Sequence, residues 1–216
     1  MTDKLKITGG VYLVIDPAME SSLMLTRLEA ALKAGINAIQ LWNNWLPGAD
    51  KQACVVAVSE ICRAYGVPLI IDNDWELLTS TPELDGVHFD ALPPDYDEIK
   101  QKVARSFIAG ITCSGDLEVV RWADKNGLDY ISFCAMFPSA SAGSCTIVMP
   151  SLVKTASELT NMPLFVSGGI TPENMLSLRQ LTPFDGVAVI SGIMSAADPF
   201  TQVKLYQDAL SQNKQL

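Results

Sequence analysis

The sequence is poor in positive charge, in histidine and in long apolar runs. It has 15 Lys and Arg against 24 Asp and Glu, a net charge of −9, and its basic residues form no run. Nucleic acid and anionic membrane surfaces are therefore not expected as partners, because both are bound through clustered Lys and Arg. A phosphorylated small molecule is compatible with this charge, since backbone N–H groups bind phosphate without basic side chains.

Cysteine and histidine do not form the common disulfide and metal motifs. The five cysteines are an odd number and none belongs to a Cys-x-x-Cys pair, so neither a disulfide framework nor a zinc site is indicated. No apolar run is long enough to span a bilayer, and the first ten residues contain no apolar leader segment. We therefore expect a cytoplasmic protein with no membrane partner.

Short apolar runs alternate along the chain with longer segments of helical periodicity. The predicted strands are residues 11–15, 37–42, 67–72, 86–89, 107–112, 130–133, 164–167 and 187–190. The predicted helices are residues 21–34, 50–65, 76–80, 95–104, 116–126, 149–159, 172–181 and 199–211. The strands are apolar throughout and do not alternate, which is typical of strands buried on both faces.

Eight strand–helix units favour a closed TIM (β/α)8 barrel that forms one domain over residues 1–216. The alternative is an open, doubly wound sheet, which places a Gly-rich turn after its first strand; here residues 16–18 read Asp-Pro-Ala. A chain that is 49% hydrophobic can fill the core of such a barrel. The residues at the strand ends then become the candidates for function, because the site of a TIM barrel lies there.

Small residues follow each of the last two predicted strands and precede helical segments. Gly168 and Gly169 follow the seventh strand, and Ser191 and Gly192 follow the eighth. Thr171 supplies an N-cap hydroxyl for the helix that begins at the next residue. Exposed backbone N–H groups at a helix start favour an anion, and phosphate sites of TIM barrels lie after strands seven and eight. We predict that these four Gly and Ser residues bind phosphate.

Polar residues at the ends of the third and fourth strands are the candidates for acid–base chemistry. His88 titrates in the right range for a general acid or base, but we favour a residue that faces into the barrel and hydrogen-bonds to a neighbouring strand. Asp72, Asp74 and Asp90 could gather as an acid–base or hard-metal cluster, or they could cap and solvate the loops. The pattern leaves both interpretations open, and Asp72 is the predicted catalytic residue.

Three tryptophans, Trp42, Trp45 and Trp75, also lie near strand ends. Their rings could stack on a flat heteroaromatic ligand or close the top of the core, and the sequence favours neither interpretation. Lysine is missing from the strand ends, because all ten lysines fall in predicted helices, in other loops or near the termini. Schiff-base chemistry inside the barrel is therefore not expected.

A recognisable order of short motifs extends over nearly the whole chain. The motifs are Val11-Tyr-Leu-Val-Ile15, Ala38-Ile-Gln-Leu41, Tyr65-Gly-Val-Pro-Leu-Ile-Ile71, Asp85-Gly-Val-His88, Asp129-Tyr-Ile131, Phe137-Pro138, Ser167-Gly-Gly-Ile170 and Gly186-Val-Ala-Val-Ile-Ser191. In this order they resemble the thiamine phosphate synthase family, together with its relatives, the thiazole tautomerases. The pattern is specific to the superfamily and much less specific to one activity.

The resemblance implies a reaction that joins a pyrimidine diphosphate to a thiazole monophosphate, with Mg²⁺ on the departing pyrophosphate. Synthases of the family grip the diphosphate with Gln-x-Arg-x-Lys after the second strand. Here Gln40 matches, Trp42 stands at the Arg position and Asn44 at the Lys position. The tautomerase relatives use a histidine after strand five, where this chain has Ser114. Gln40 and Trp42 are thus candidate substrate-binding residues.

The metal and loop positions of the family are also altered. The family's Asn-Asp pair after strand three is inverted, so that Asn73 stands at the metal-binding position, and the second metal aspartate falls near Pro93. The Thr-x-Thr-Lys of the strand-six loop retains its two hydroxyls as Ser139 and Ser141 and has Ala142 for its Lys. Asn73, Ser139 and Ser141 complete the predicted substrate-binding set, and no metal-binding residue is predicted.

Three functions remain open. The first is synthase chemistry in which Asp72, Asp74 and Asp90 replace the lost ligands, and Mg²⁺ is a cofactor only in this case. The second is a metal-independent tautomerase or isomerase that acts on a phosphorylated substrate with Asp72 as general base. The third is a non-catalytic protein that binds a phosphorylated metabolite. We favour a synthase-like barrel that binds a phosphorylated heterocycle of thiamine metabolism without Mg²⁺–diphosphate chemistry. The resemblance adds a homodimer as partner, which no residue of the chain indicates.

Overall fold

The computed structural model describes residues 5–138 and 146–212, which form a closed barrel of eight parallel strands. The strands are β1 Gly10–Ile15, β2 Ala38–Leu41, β3 Leu69–Asp72, β4 Gly86–Phe89, β5 Ile108–Thr112, β6 Tyr130–Phe133, β7 Leu164–Ser167 and β8 Gly186–Val189. Each strand pairs with the next one in the chain, and β8 pairs with β1 through the register of Gly186 with Gly10. The predicted TIM barrel is confirmed, and the open sheet is wrong.

Helices connect the strands and surround the barrel. In the described part of the chain they are α1 Ser21–Ala34, α2 Lys51–Ala64, α3 Leu77–Ser80, α4 Tyr96–Val103, α5 Leu117–Lys125, α6 Pro150–Leu159, α7 Pro172–Leu181, α8 Ser191–Met194 and α9 Pro199–Ser211. The short helix α8, directly after β8, has no predicted counterpart. Within residues 5–138 and 146–212, no helix has both the length and the apolar character needed to cross a membrane.

The core has two layers because the strands are buried on both faces. Tyr12, Tyr130 and Phe165 belong to a small cluster of inward-facing side chains inside the barrel. The larger cluster lies between the strands and the helices and contains the neighbouring strand residues, such as Leu13 and Ile131. Since successive side chains of a strand point to opposite faces, these two clusters follow from the alternation along each strand.

Two glycines make room for the aromatic rings inside the barrel. A Cβ on Gly110 in β5 would lie 2.0 Å from Cζ of Tyr130, and a Cβ on Gly186 in β8 would lie 2.3 Å from Cε1 of Phe165. The ring centroids of Tyr12, Tyr130 and Phe165 lie 5.6 or 5.7 Å apart, the spacing of favourable aromatic pairs. The rings of Tyr130 and Phe165 therefore occupy space that is left by the missing side chains of two other strands.

The start of α7 and the loop after β6 shape the end of β7. Thr171 Oγ1 accepts from the Asn174 N–H, and the Asn174 side chain accepts from the Thr171 N–H, so a capping box begins the helix. The predicted N-cap is thereby confirmed. The N–H of Phe137 donates to the carbonyl of Gly168 over 3.0 Å, which holds the β6 loop against the β7 loop.

Candidate functional site

A cavity of about 750 Å³ opens at the carboxyl ends of the strands. Every strand contributes to its wall, through Tyr12, Val14, Gln40, Asp72, His88, Thr112, Tyr130, Ser132, Phe165, Ser167, Ala188 and Val189. The adjoining loops add further residues, including Trp42, Asp90, Gly168, Gly169, Ser191 and Gly192. This is the place where TIM barrels bind their ligands, and the volume suits one small organic molecule.

Asp72 is a buried carboxyl at the end of β3 and is only 1% exposed. Its Oδ2 accepts from the Asn43 N–H at 3.1 Å, and its Oδ1 accepts from the Asn73 amide at 3.2 Å. Burial raises the pKa of Asp72 to about 7, the negative charge of Asp90 adds to the rise, and the Asn43 N–H opposes it. A carboxyl poised near neutrality can give or take a proton at physiological pH.

Asn73 joins the ends of β3 and β4. Its amide donates to Oδ2 of Asp90 at 2.7 Å as well as to Asp72, and its Oδ1 accepts from the Asp90 N–H at 2.9 Å. Its φ of 57° lies in the left-handed region, so the chain turns sharply after Asp72. Asn73 does not belong to the cavity wall as described, and its predicted contact with substrate stays a prediction.

Asp74 does not join the two other carboxylates. It forms an ion pair with Lys51 at the start of α2 and does not line the cavity. The interpretation in which the three aspartates gather as a cluster requires Asp74 to lie beside Asp72. That interpretation is wrong, because β3 ends at Asp72 and the left-handed turn at Asn73 redirects the following side chain.

His88 is a buried, neutral imidazole. Its Nδ1 lies 3.0 Å from Oη of Tyr130, and its Nε2 lies 2.8 Å from Oγ1 of Thr112. Burial lowers the pKa of His88 to about 4, and the negative charge of Asp90 opposes this shift. The favoured interpretation, an inward-facing residue bonded to a neighbouring strand, agrees with these contacts, which come from β5 and β6.

The glycines after β7 are required by packing as well as by their position on the cavity wall. Gly168 and Gly169 have φ values of 79° and 64°, which favour glycine. A Cβ on Gly168 would lie 2.5 Å from Cβ of Ala135, and one on Gly169 would lie 2.8 Å from Cβ of Phe137. The loop after β6 therefore packs directly against both glycines.

A tyrosine from the last helix links the loops after β7 and β8. Tyr206 in α9 is 1% exposed, lines the cavity and donates its hydroxyl to the carbonyl of Ile170 at 2.8 Å. A Cβ on Gly192, at the start of α8, would lie 2.4 Å from the same hydroxyl. The four predicted phosphate-binding residues all lie on the cavity wall, which Tyr206 also lines.

The cavity wall carries carboxylates and, among the described residues, no lysine or arginine. Asp72, Asp90 and Glu173 line it, and no Lys or Arg does so among the residues that the structure describes. Trp42 lies on the cavity wall and packs against the inner cluster, whereas Trp45 and Trp75 pack against the outer core. Only Trp42 is therefore placed to stack on a ligand.

Gln40 lies on the cavity wall, and its predicted contact with substrate stays a prediction. The Gln40 Oε1 accepts from the Tyr12 hydroxyl at 2.8 Å, and the hydroxyls of Tyr12 and Tyr130 lie 2.9 Å apart. Burial raises the pKa values of both phenols well above the usual range, so both stay protonated. Ser139 and Ser141 lie outside the described residues.

The synthase resemblance implies a Mg²⁺ ion, and the side chains at the ends of β3 and β4 do not fit one. The amide of Asn73 points its N–H groups at one oxygen of Asp72 and one of Asp90, so a donor already lies between the two carboxylates. Pro93 has no side-chain oxygen. Over residues 5–138 and 146–212, no three His, Cys, Asp or Glu side chains form a group that could hold a metal ion.

Sequence reasoning missed Tyr12, Thr112, Tyr130 and Tyr206 as parts of the site. A tyrosine within an otherwise apolar strand is a usable signal, because a buried phenol needs a hydrogen-bond partner. That signal could have found Tyr12 and Tyr130. Thr112 stands at a strand end, where its contact with the imidazole of β4 depends on register. Tyr206 gives no signal, since it falls on the apolar face of an ordinary helix.

A closed (β/α)8 barrel with a polar cavity at the carboxyl ends of its strands places the chain among the TIM-barrel proteins. Comparison of sequences identifies a family within the TIM-barrel proteins. The family model for thiamine monophosphate synthase matches residues 11–193. The chain belongs to this family.

Curated relatives are similar in sequence to this chain over nearly their full length. The chain is 32% identical over 203 residues to a thiamine-phosphate synthase of Xanthomonas campestris pv. campestris, covering 94% of this chain and 96% of the relative. It is 31% identical over 189 residues to a thiamine-phosphate synthase of Methylobacillus flagellatus, covering 88% and 89%.

Solved structures support the fold. A thiamine phosphate pyrophosphorylase from Pyrococcus furiosus superposes with a TM-score of 0.78 at 22% identity, covering 96% of each chain. A geranylgeranylglyceryl phosphate synthase from Thermoplasma acidophilum, in complex with sn-glycerol-1-phosphate, gives a TM-score of 0.67 at 16% identity, covering 94% of this chain and 93% of the other. At these identities the likeness shows the barrel and no shared chemistry.

Proposed function

We propose that the barrel binds a phosphorylated heterocycle of thiamine metabolism and acts on it without Mg²⁺–diphosphate chemistry. The observation that carries the proposal is the composition of the cavity wall. It combines a buried carboxyl whose pKa is about 7, a glycine-lined end at β7 and β8, and no lysine or arginine among the described residues. Membership of the thiamine monophosphate synthase family supports the ligand class.

The phosphate is assigned to the end of the cavity formed by the β7 and β8 loops. Gly168, Gly169, Ser191 and Gly192 line it, and backbone N–H groups of such loops bind phosphate without a cationic side chain. The binding is therefore compatible with a protein of net charge −9. A monophosphate carries less negative charge than a diphosphate and needs less positive charge beside it. For a diphosphate, basic side chains or a metal ion held by carboxylates stabilise the transition state by several kcal/mol.

The heterocycle is assigned to the other end of the cavity, between Trp42 and Asp72. The Trp42 ring offers a flat apolar face, and Gln40 beside it offers a polar group that can orient a ring. Asp72 is the proposed general acid–base, because its pKa of about 7 lets it take a proton from one ring atom and return it to another. This proton transfer favours a tautomerase or isomerase over a non-catalytic binder.

A thermal-shift titration tests the ligand class. Thiazole monophosphate at a hundred times its Kd should add about 2.7 kcal/mol of stability, which raises Tm by about 5–10 °C for a chain of this size. The shift should persist in EDTA. Pyrimidine diphosphate with Mg²⁺ should give a smaller shift. A larger shift with the diphosphate, dependent on Mg²⁺, would instead support the synthase reaction under which the relatives are named.

Matched variants test the placement of ring and proton. Trp42→Phe should weaken binding of thiazole monophosphate, whereas Trp75→Phe, in the outer core, should not. Asp72→Asn should abolish isomerisation of a phosphorylated thiazole, whereas Asp74→Asn should not. Binding of thiazole monophosphate with no conversion of any thiazole or pyrimidine precursor by the wild-type protein would favour the non-catalytic alternative.

A further inference from the structure

A continuous chain of hydrogen bonds crosses the inside of the barrel from β2 to β5. It runs from Gln40 through Tyr12, Tyr130 and His88 to Thr112, with heavy-atom distances of 2.8, 2.9, 3.0 and 2.8 Å. The three middle residues are 5% exposed or less. All five residues line the cavity, and the chain links the part of its wall at β2 with the part at β5.

Such a chain has two self-consistent arrangements of its protons. A phenol has one proton, so if it donates in one direction it accepts from the other, and a neutral imidazole donates from one nitrogen and accepts at the other. A mixed arrangement would place two protons or none between one pair of buried atoms, and that hydrogen bond would be lost. The orientation of one end member therefore sets the whole chain.

Gln40 fixes the direction. Its Oε1 faces the Tyr12 hydroxyl, and because an amide oxygen only accepts, Tyr12 donates to it. Tyr12 then accepts from Tyr130, and Tyr130 accepts from the Nδ1–H of His88. Burial lowers the pKa of His88 to about 4 and keeps the ring neutral, so its Nε2 carries a lone pair and accepts from the Thr112 hydroxyl.

We propose that this chain determines which atoms the cavity offers to a ligand at β2 and at β5. Because Tyr12 engages the oxygen of Gln40, the Gln40 amide is left to donate; because the Thr112 hydroxyl proton is engaged by His88, the Thr112 oxygen is left to accept. The ligand that fits carries an acceptor, such as a ring nitrogen, opposite Gln40. Tyr12, Tyr130 and His88 are then positioning residues.

This inference deepens the proposed function, since it assumes that the ligand's ring lies in the same cavity. The tautomer of the imidazole reports the direction of the chain, and His88 is the single histidine of the protein. A long-range ¹H–¹⁵N NMR correlation on the ¹⁵N-labelled, ligand-free protein should therefore show one imidazole, with its proton on Nδ1. A proton on Nε2 would overturn the assignment, because the chain would then run the other way.

Variants separate the chain from simple packing. In Tyr12→Phe the Tyr130 hydroxyl keeps one acceptor, the Nδ1 of His88, so the tautomer should invert to Nε2–H. Phe165→Leu disturbs the same ring cluster without removing a hydrogen bond and should retain Nδ1–H. An unchanged tautomer in Tyr12→Phe, or inversion in Phe165→Leu, would contradict the proposal.

Thr112→Val provides a second variant that is independent of the inner ring cluster. It removes the donor at the β5 end, and Nδ1–H should persist because Gln40 sets the direction. Inversion in this variant would show that Thr112 sets it instead, and would overturn the proposal. The tautomer of His88 is measured in the ligand-free protein. This test is therefore independent of whether thiazole monophosphate binds.

Discussion

Replacing Asp72 by asparagine should stabilise the protein above neutral pH while removing its acid–base group. The folded chain holds the Asp72 proton up to about pH 7, whereas the unfolded chain releases it near 3.8. Below about pH 4 both states are protonated, and as pH rises from there to 7 stability is lost, because only the folded state still binds the proton. Above pH 7 the loss reaches about 4 kcal/mol.

The asparagine removes this penalty and keeps the shape of the side chain. One of the two donors now bonded to the carboxyl, the Asn43 N–H or the Asn73 amide, would face the new NH₂ group, at a cost of about 1 kcal/mol. Relative to the wild type, Asp72→Asn should therefore raise the free energy of unfolding by about 3 kcal/mol at pH 8 and lower it by about 1 kcal/mol near pH 4.

Urea unfolding of the wild type and Asp72→Asn at pH 4.5 and 8 measures this difference. Asp74→Asn is the matched control, because Asp74 forms a partly exposed ion pair with Lys51 whose loss should cost about 1 kcal/mol or less at both pH values. Equal destabilisation by Asp72→Asn at the two pH values would contradict the raised pKa of Asp72, since it would show that Asp72 is ionised in the folded chain throughout.

Three further predictions concern neighbouring parts of the barrel. Gly192→Ala places a Cβ 2.4 Å from the Tyr206 hydroxyl and should lower the free energy of unfolding in urea by about 1–3 kcal/mol. The loss should be smaller in a Tyr206→Phe background, where the hydroxyl is absent, and an equal loss in both backgrounds would contradict the packing. Gly110→Ala, 2.0 Å from Cζ of Tyr130, should cost at least about 2 kcal/mol, and a neutral result would mean that the ring lies elsewhere. In an Asp72→Asn background, the free energy of unfolding should fall by about 3 kcal/mol as the pH is lowered from 6.5 to 4, because the unfolded chain binds a proton on His88 that the folded chain does not. A free energy of unfolding that does not change over this range would show that His88 titrates normally.

The barrel could be predicted from the sequence because its signals are local. Apolar runs of four to six residues, separated by helical periodicity and capped turns, reveal strands buried on both faces, and eight such units close most readily into a barrel. The glycines after β7 and β8 were found by the same kind of reasoning. Their place on the cavity wall follows from the fold.

The inside of the site could not be predicted in the same way. In strands that are apolar throughout, the sequence does not show which alternate residues face inward. The contact of Tyr12 with Gln40 depends on the register between β1 and β2, which the sequence does not give. The turn at Asn73, which separates Asp74 from Asp72, depends on a left-handed backbone that asparagine tolerates without requiring. These features arise from tertiary packing.

The most direct test of the central claim is a crystal structure of the protein with thiazole monophosphate, grown in EDTA. We expect the phosphate against the backbone of Gly168, Gly169 and Gly192, the ring beside Trp42 and Asp72, and no metal. An empty glycine-lined end, or a phosphate that enters only with Mg²⁺ held at the ends of β3 and β4, would contradict it.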